Sequence, residues 1–172
     1  MEKSLPDIVG PGLSVIFCGL NPGLSAAASG HHFVGRSNRF WRVLHLAGFT
    51  PDQIDAENDA SLLAHGFGIT SVVERPTAGV DDLARSEFVA AGRGFEQRVR
   101  RYAPRYVAFL GKAAYAAMMD RRSVPWGRQP EPFGGAIAWV LPNPSGRNLA
   151  FSQDALVAAY RELRLSVEDR TT

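Results

Sequence analysis

Two asparagine–proline pairs occupy comparable places in this sequence. Phe17-Cys18-Gly19-Leu20-Asn21-Pro22-Gly23 follows the apolar run Leu13 to Phe17, and Leu141-Pro142-Asn143-Pro144-Ser145-Gly146 follows the apolar run Ala136 to Leu141. Each run reads as a buried strand. Proline has no N–H for a sheet ladder and biases the residue before it away from the helical region, so Asn21 and Asn143 are expected in extended or turn backbone at strand ends. Glycine after them lets the chain turn tightly or approach a ligand. In an open parallel sheet the loops leaving the C-terminal strand ends line the ligand crevice, so these two loops are read as walls of one site. A carboxamide can orient a water through its carbonyl but takes no proton at neutral pH, so it supplies geometry and little base strength.

For the two loops to meet, strands and helices must alternate along the chain, and the pattern provides this. Residues 1–12 read as a loose lead-in, with Pro6, Gly10, Pro11 and Gly12 against regular structure. After the Asn21 loop, the small residues Ser25 to Gly30 and then His31-His32-Phe33 read as loop, too polar and glycine-bounded for core. Ser37 or Asn38 can cap a helix with Phe40, Trp41, Leu44 and Ala47 on one face, stopped at Gly48. A short helix is expected within residues 51–65, then a strand from Phe67 to Val73 that leaves through Glu74-Arg75-Pro76-Thr77. Phe95, Val99 and Tyr102 recur at helical spacing with arginines toward water. Tyr106 to Leu110 reads as a strand covered on both faces, and Gly111-Lys112 opens a helix carrying Ala113, Ala114, Ala117 and Met118. Residues 127–135 are expected to turn into the last strand. Ser152 caps a last helix with Leu156, Tyr160 and Leu163 inward, and residues 168–172 are a frayed tail. The alternation predicts an α/β fold, a three-layer α/β/α sandwich on a short, mostly parallel central sheet, in one domain over residues 1–172.

Composition narrows the function. A chain of 172 residues suits one domain, which can bury about two-thirds of its unfolded surface. Its net charge of +2 permits a nucleic-acid partner without demanding one. Arginine greatly outnumbers lysine and gathers at Arg36 and Arg39, at Arg98 to Arg101, and at Arg121 and Arg122. Such clusters suit bidentate phosphate contact and equally suit a solvated helix face. No apolar run approaches the roughly 20 residues of a membrane span, and no signal-peptide pattern opens the chain, so a cytoplasmic protein with no membrane partner is expected. The lone Cys18 allows no internal disulfide and reads as a small apolar residue at a strand end. With one cysteine and no zinc-type histidine pattern, no metal is expected. Dinucleotide, phosphate-loop and nucleophile-elbow fingerprints are missing too, so no cofactor is expected and serine hydrolysis is unsupported.

Taken in order, the Phe17–Gly23 stretch, Asn38-Arg39-Phe40-Trp41, Arg75-Pro76-Thr77, Gly111-Lys112, Trp126-Gly127 and the Leu141–Gly146 stretch resemble the mismatch-specific uracil-DNA glycosylases, relatives of the thymine-DNA glycosylases. The resemblance runs from about Gly12 to about Leu163. It implies a monofunctional enzyme that removes uracil, with thymine or ethenocytosine as further substrates, opposite guanine in double-stranded DNA, and leaves an abasic site for base excision repair. The base inside a duplex is out of reach, so such an enzyme rotates the nucleotide into a pocket and offsets the lost stacking.

By resemblance, Asn21 positions the attacking water, and Phe33 offers the face on which the everted base lies. Gly19, Leu20, Pro22, Gly23, Ala26 and Asn143 form the base pocket around them. Ser145, Gly146, Arg147 and Asn148 resemble the wedge that fills the vacated stack and meets the orphaned guanine. Two positions depart from the family pattern: Arg147 stands where some relatives have leucine, and Ala26 where some have serine. Arg36, Arg75 and Lys112 are phosphate-contact candidates. The aspartate of the faster uracil glycosylases has no counterpart, so any assisting carboxylate is sought among Asp81, Asp82, Glu74 and Glu87. Slow turnover, no Schiff base and a monomer are expected. The rival is a mismatch-binding or abasic-site-binding protein of the same fold without useful catalysis. A small-molecule nucleoside hydrolase is a third class, distinguished by indifference to salt.

Overall fold

The computed structural model describes residues 5–169. Five strands form one sheet in the order β2-β1-β3-β5-β4, where β1 is Val15–Gly19, β2 Phe67–Ser71, β3 Tyr106–Leu110, β4 Gly127–Arg128 and β5 Ile137–Leu141. The first three and β5 are parallel, and the two-residue β4 pairs antiparallel at the edge. All five positions of β1, β2 and β3 are buried, as expected of strands covered on both faces.

The strand period of two sends alternate side chains into two separate cores. Val15 and Phe17 of β1, Tyr106, Ala108 and Leu110 of β3, and Trp139 and Leu141 of β5 meet Phe40, Leu44, Leu156 and Tyr160 on one face. These last come from helices α2, Phe40–Leu46, and α5, Gln153–Glu168. Ile16, Cys18, Val107, Phe109, Ala138 and Val140 meet Phe88, Phe95, Val99 and Ala114 on the other face. That layer is α3, Arg85–Tyr102, and α4, Lys112–Met118. The result is the expected three-layer sandwich. Truncating a fully buried aromatic such as Phe17 is expected to cost about 3–5 kcal/mol, because a cavity adds to the lost transfer energy.

Helix limits follow local chemistry. Ser152 Oγ accepts the Ala155 N–H at the start of α5, and Asn38 Oδ1 accepts the Phe40 N–H at the start of α2. Residues 51–65 supply a 3₁₀ segment, Ala56–His65, closed by Gly66 in left-handed backbone.

Four local expectations give way. The small-residue run is not loop but a short helix, α1, Leu24–Ser29, with Ala26 and Ala27 buried and Gly30 ending it at φ 78°. His32 is buried rather than too polar for core, because Asp59 and the Pro6 carbonyl take up its polar groups. Arg98 does not simply face water: it donates to Asp7 and to the Ser71 carbonyl. Within the lead-in, Ile8 is buried and exchanges two 2.8 Å backbone hydrogen bonds with Ile69. Gly68 permits that approach, since a Cβ there would collide with the Ile8 carbonyl. Residues 1–4 of the lead-in and 170–172 of the tail lie outside the described residues, and α5 itself continues to Glu168.

Candidate active site

β1 has β2 on one side and β3 on the other, so the loops leaving it and its neighbours diverge and open a crevice at their C-terminal ends. A cleft of about 690 Å³ lies there. Its lining joins residues 19–23, Ala26 and Phe33 to Asp81, Lys112, Asn143 and residues 145–148, so both asparagine loops face one space. Gly111 lies where they meet. A Cβ on it would sit 3.5 Å from Leu20 Cδ1 and 3.9 Å from Asn143 Cβ, and its φ of 122° suits glycine.

Among the described residues, the Asn21 side chain is held from one end only. Its Nδ2 donates to the Arg75 carbonyl and to Thr77 Oγ1, each at 2.8 Å. Both amide hydrogens are thereby engaged, which orients the carboxamide with Oδ1 as the remaining acceptor at the cleft. Thr77 Oγ1 in turn donates to the Gly79 carbonyl at 2.8 Å, so it meets Asn21 as an acceptor. The backbone reinforces this grip: Val72, Val73 and Thr77 N–H groups donate to the carbonyls of Gly19, Leu20 and Pro22. Behind them Arg75 donates from Nε and Nη2 to both carboxylate oxygens of Glu87, at 2.9 and 3.0 Å, and to the Asp82 carbonyl. Glu87 also accepts the Ala84 N–H at the start of α3. The Arg75 guanidinium and this N–H hold its carboxyl below the usual glutamate range.

Phe33 has φ 56°, a left-handed conformation that costs a non-glycine residue about 1–3 kcal/mol. The preceding residue is clamped to sustain it: His32 N–H donates to Asp59 Oδ2 at 2.8 Å, and its carbonyl accepts from Trp41 Nε1 at 3.0 Å. Burial pushes the His32 imidazole below its ordinary pKa. Asp59 also meets His31 Nδ1 at 3.2 Å. The Phe33 ring packs on Phe40 with centroids 4.2 Å apart and a 33° tilt, and it is only partly buried. It therefore combines a structural anchor with a surface on the cleft.

Asn143 is arranged the other way round. Its Oδ1 accepts the Ser145 N–H at 2.8 Å, within its own loop, and its backbone carbonyl accepts from Asn148 Nδ2 at 2.9 Å. Tyr160, fully buried in α5, donates its hydroxyl to the Pro142 carbonyl just before it, and burial pushes that phenol far above its ordinary pKa. Arg39 holds the rest. Its guanidinium donates to the carbonyls of Phe151 at 2.7 Å, Ser145 and Asn148 at 3.1 Å, and Pro144 at 3.4 Å. Gly146 lies against the Ser37 backbone, where a Cβ would be 2.7 Å from the Ser37 carbonyl oxygen. Arg147 reaches across the cleft, and a Cβ on Gly79 would lie 2.7 Å from its Nη1.

The remaining candidates divide. Lys112 lines the cleft and has a partner the sequence did not suggest: its Nζ lies 4.3 Å from the centroid of the Trp126 ring, itself edge-on to Phe151. Arg36 is exposed, between lining residues Gly35 and Ser37 but not itself in the lining. Arg75 is outside it, donates to Glu87 and to the Asp82 carbonyl, and supports Asn21 through its own carbonyl. Asp82 is likewise outside, accepting the Gly79 N–H, whereas Asp81 is the sole carboxylate-bearing lining residue among those described. Glu74 is exposed outside the lining. Sequence reasoning missed Arg39 and Thr77 as supports. Both stood within the quoted motifs, but nothing local distinguishes a loop-holding arginine from a phosphate-binding one.

The described residues contain no trio of His, Cys, Asp or Glu placed to hold a metal ion. Nor do they contain a helix long and apolar enough to cross a membrane. Comparison with known proteins gives two findings. The family model described as the uracil DNA glycosylase superfamily matches residues 6–164. The solution NMR structure of a candidate uracil DNA glycosylase from Methanosarcina acetivorans is similar in fold, with a TM-score of 0.61 at 20% identity over 95% of this chain and 98% of that one.

Proposed function

The chain belongs to the uracil DNA glycosylase superfamily, and from that premise we propose that it is a monofunctional glycosylase acting on uracil opposite guanine in duplex DNA. The single observation that carries this is the Asn21 carboxamide, whose N–H groups are both engaged while its carbonyl is left to accept a hydrogen from water. A water so held is aimed at the sugar carbon of a base lying on Phe33. Departure of the base leaves positive charge on the sugar and negative charge on the ring. Backbone N–H groups near Leu20 and Phe33 would stabilise the ring oxygens.

Because an amide orients without deprotonating, the water adds late, to a sugar already largely cationic, and turnover is slow. Asp81 is the carboxylate available to stabilise that cation. The base pocket comprises Gly19, Leu20, Pro22, Gly23, Ala26 and Asn143, with Ala26 offering no hydroxyl to the base. That omission favours a broad choice of pyrimidines, thymine and ethenocytosine included. Lys112, laid over the Trp126 face at the cleft, contacts phosphate rather than forming a Schiff base. Borohydride should therefore trap no protein–DNA adduct. We assign the protein a cytoplasmic place and a monomeric state, which suits scanning along a duplex.

A labelled duplex with one U·G pair, treated with the protein and then with alkali, tests the proposal. Strand scission that disappears in Asn21→Ala is the expected outcome. Retarded mobility with every glycosidic bond intact would favour a mismatch-binding protein instead, and consumption of free deoxyuridine regardless of salt would favour a nucleoside hydrolase.

A further inference from the structure

Trp126 lines the cleft while 43% exposed, and so far it has served only as the surface beneath Lys112. A lone exposed tryptophan on a loose turn would carry no meaning. This one is fixed. The buried Gln129 donates from Nε2 to the carbonyls of Pro125 at 2.8 Å and Gly127 at 3.0 Å, the two residues that flank it. The Phe151 ring meets the Trp126 ring at 82° with centroids 5.3 Å apart, and Arg39 holds the Phe151 carbonyl in turn. Against this set ring stands Lys112 Nζ, 4.3 Å from its centroid. Among the described residues the Lys112 ammonium has no carboxylate partner and no hydrogen-bond acceptor.

The kind of partner decides what the lysine can do. A carboxylate would neutralise it, would have to be displaced by an incoming phosphate and would itself repel that phosphate. A ring face attracts a cation through its quadrupole without carrying net charge, so the ammonium keeps both its charge and its donors. The ring also restrains a flexible four-carbon stem, whose ordering would otherwise weaken binding. We propose that Trp126 is the positioning residue for Lys112: its ring, set by Gln129 and Phe151, holds the ammonium ready at the cleft for a backbone phosphate of duplex DNA. This rests on the proposed reading of the cleft as a DNA site, and it names what makes the lysine there effective.

The test pairs a structural readout with a binding one. NMR of the lysine-labelled protein should show the Lys112 ε-methylene shifted upfield by the ring current, a shift lost in Trp126→Leu and kept in Trp126→Phe. Lys3 and Lys112 are the only lysines, so Lys112→Met assigns the signal. Affinity is then measured for a duplex carrying a non-hydrolysable fluorinated deoxyuridine opposite guanine. Trp126→Leu is expected to weaken binding about fivefold, with Trp126→Phe close to the parent. Lys112→Met should weaken it at least as much and lower the slope of log affinity against log salt by about one. The double variant should be no weaker than Lys112→Met, because Trp126 acts through Lys112. On a cleavable U·G duplex, Trp126→Leu should raise KM and leave kcat at the parent value. A parent without the upfield shift, Trp126→Leu binding like the parent, a fall in kcat with KM unchanged, or losses that add in the double variant would each overturn the inference. Additive losses would make Trp126 a DNA contact in its own right. A parent that shows the shift and the coupled losses but excises nothing would uphold the role of Trp126 and sink the proposed catalysis; a parent that excises uracil while the losses add would do the reverse.

Discussion

The Asn21 and Asn143 loops share an asparagine–proline pair, a parallel strand before it and a place on the same cleft, yet they turn opposite ends of the amide to their surroundings. Asn21 gives both N–H groups to the β2 loop and keeps its carbonyl; Asn143 commits its carbonyl to its own loop and has no partner for its Nδ2 among the described residues. One wall of the cleft thus offers an acceptor and the other a donor. The same dipeptide acquires different chemistry from whatever engages the other half of its side chain. Support differs as well: the Asn21 loop is zipped by three backbone bonds to the β2 loop, whereas the Asn143 loop has one, from the Arg39 N–H to the Pro144 carbonyl, and otherwise rests on the side chains of Arg39 and Tyr160.

The comparison breaks most visibly at the asparagines themselves. Asn21→Ala is expected to lower the single-turnover excision rate about 10²–10³-fold, the scale of losing one oriented polar group in an active site. Asn143→Ala should cost less and appear in binding, so equal losses in rate would erase the distinction. Next in size is Gly146→Ala, whose Cβ meets the Ser37 backbone. Overpacking there should lower stability by about 1–3 kcal/mol in urea unfolding and slow excision. Gly79→Ala meets only the flexible end of Arg147 and should leave stability within about 0.5 kcal/mol.

Thr77→Val tests whether the Asn21 carbonyl depends on its neighbour. It removes one hydrogen-bond acceptor and one donor, at about 1 kcal/mol of stability, and lets the amide rotate. Excision should fall in Thr77→Val and recover in Thr77→Ser. The smallest effect concerns pH. Arg75 lowers the Glu87 pKa in the folded state, so Glu87 binds its proton more readily when unfolded. Its stabilising contribution is therefore complete at neutral pH and lost as pH falls through the depressed folded value. Unfolding curves measured from pH 7 downward should show this loss in the parent and a shallower one in Glu87→Gln.

Some of this was legible from the chain. Short, uniformly apolar runs such as Tyr106–Leu110 read as strands covered on both faces, Ser152 announces α5, and parallel strands carry their site at C-terminal ends, so the two loops could be paired in advance. Other expectations turned on tertiary contacts. Ser25–Gly30 looked like loop because alanine and serine carry no periodic signal, and two of its alanines are buried in a helix. His32 looked too polar for the interior until Asp59, 27 residues away, took up its N–H.

What the sequence alone determined is the layering and the meeting of the two loops, because burial follows a short-range period that can be read residue by residue. Which end of each asparagine amide faces the cleft, and that Arg39 holds a loop more than 100 residues away, were decided only by the tertiary structure. A polar side chain bonds to whatever the finished fold brings within 3 Å or so, and such partners leave no periodic trace along the chain.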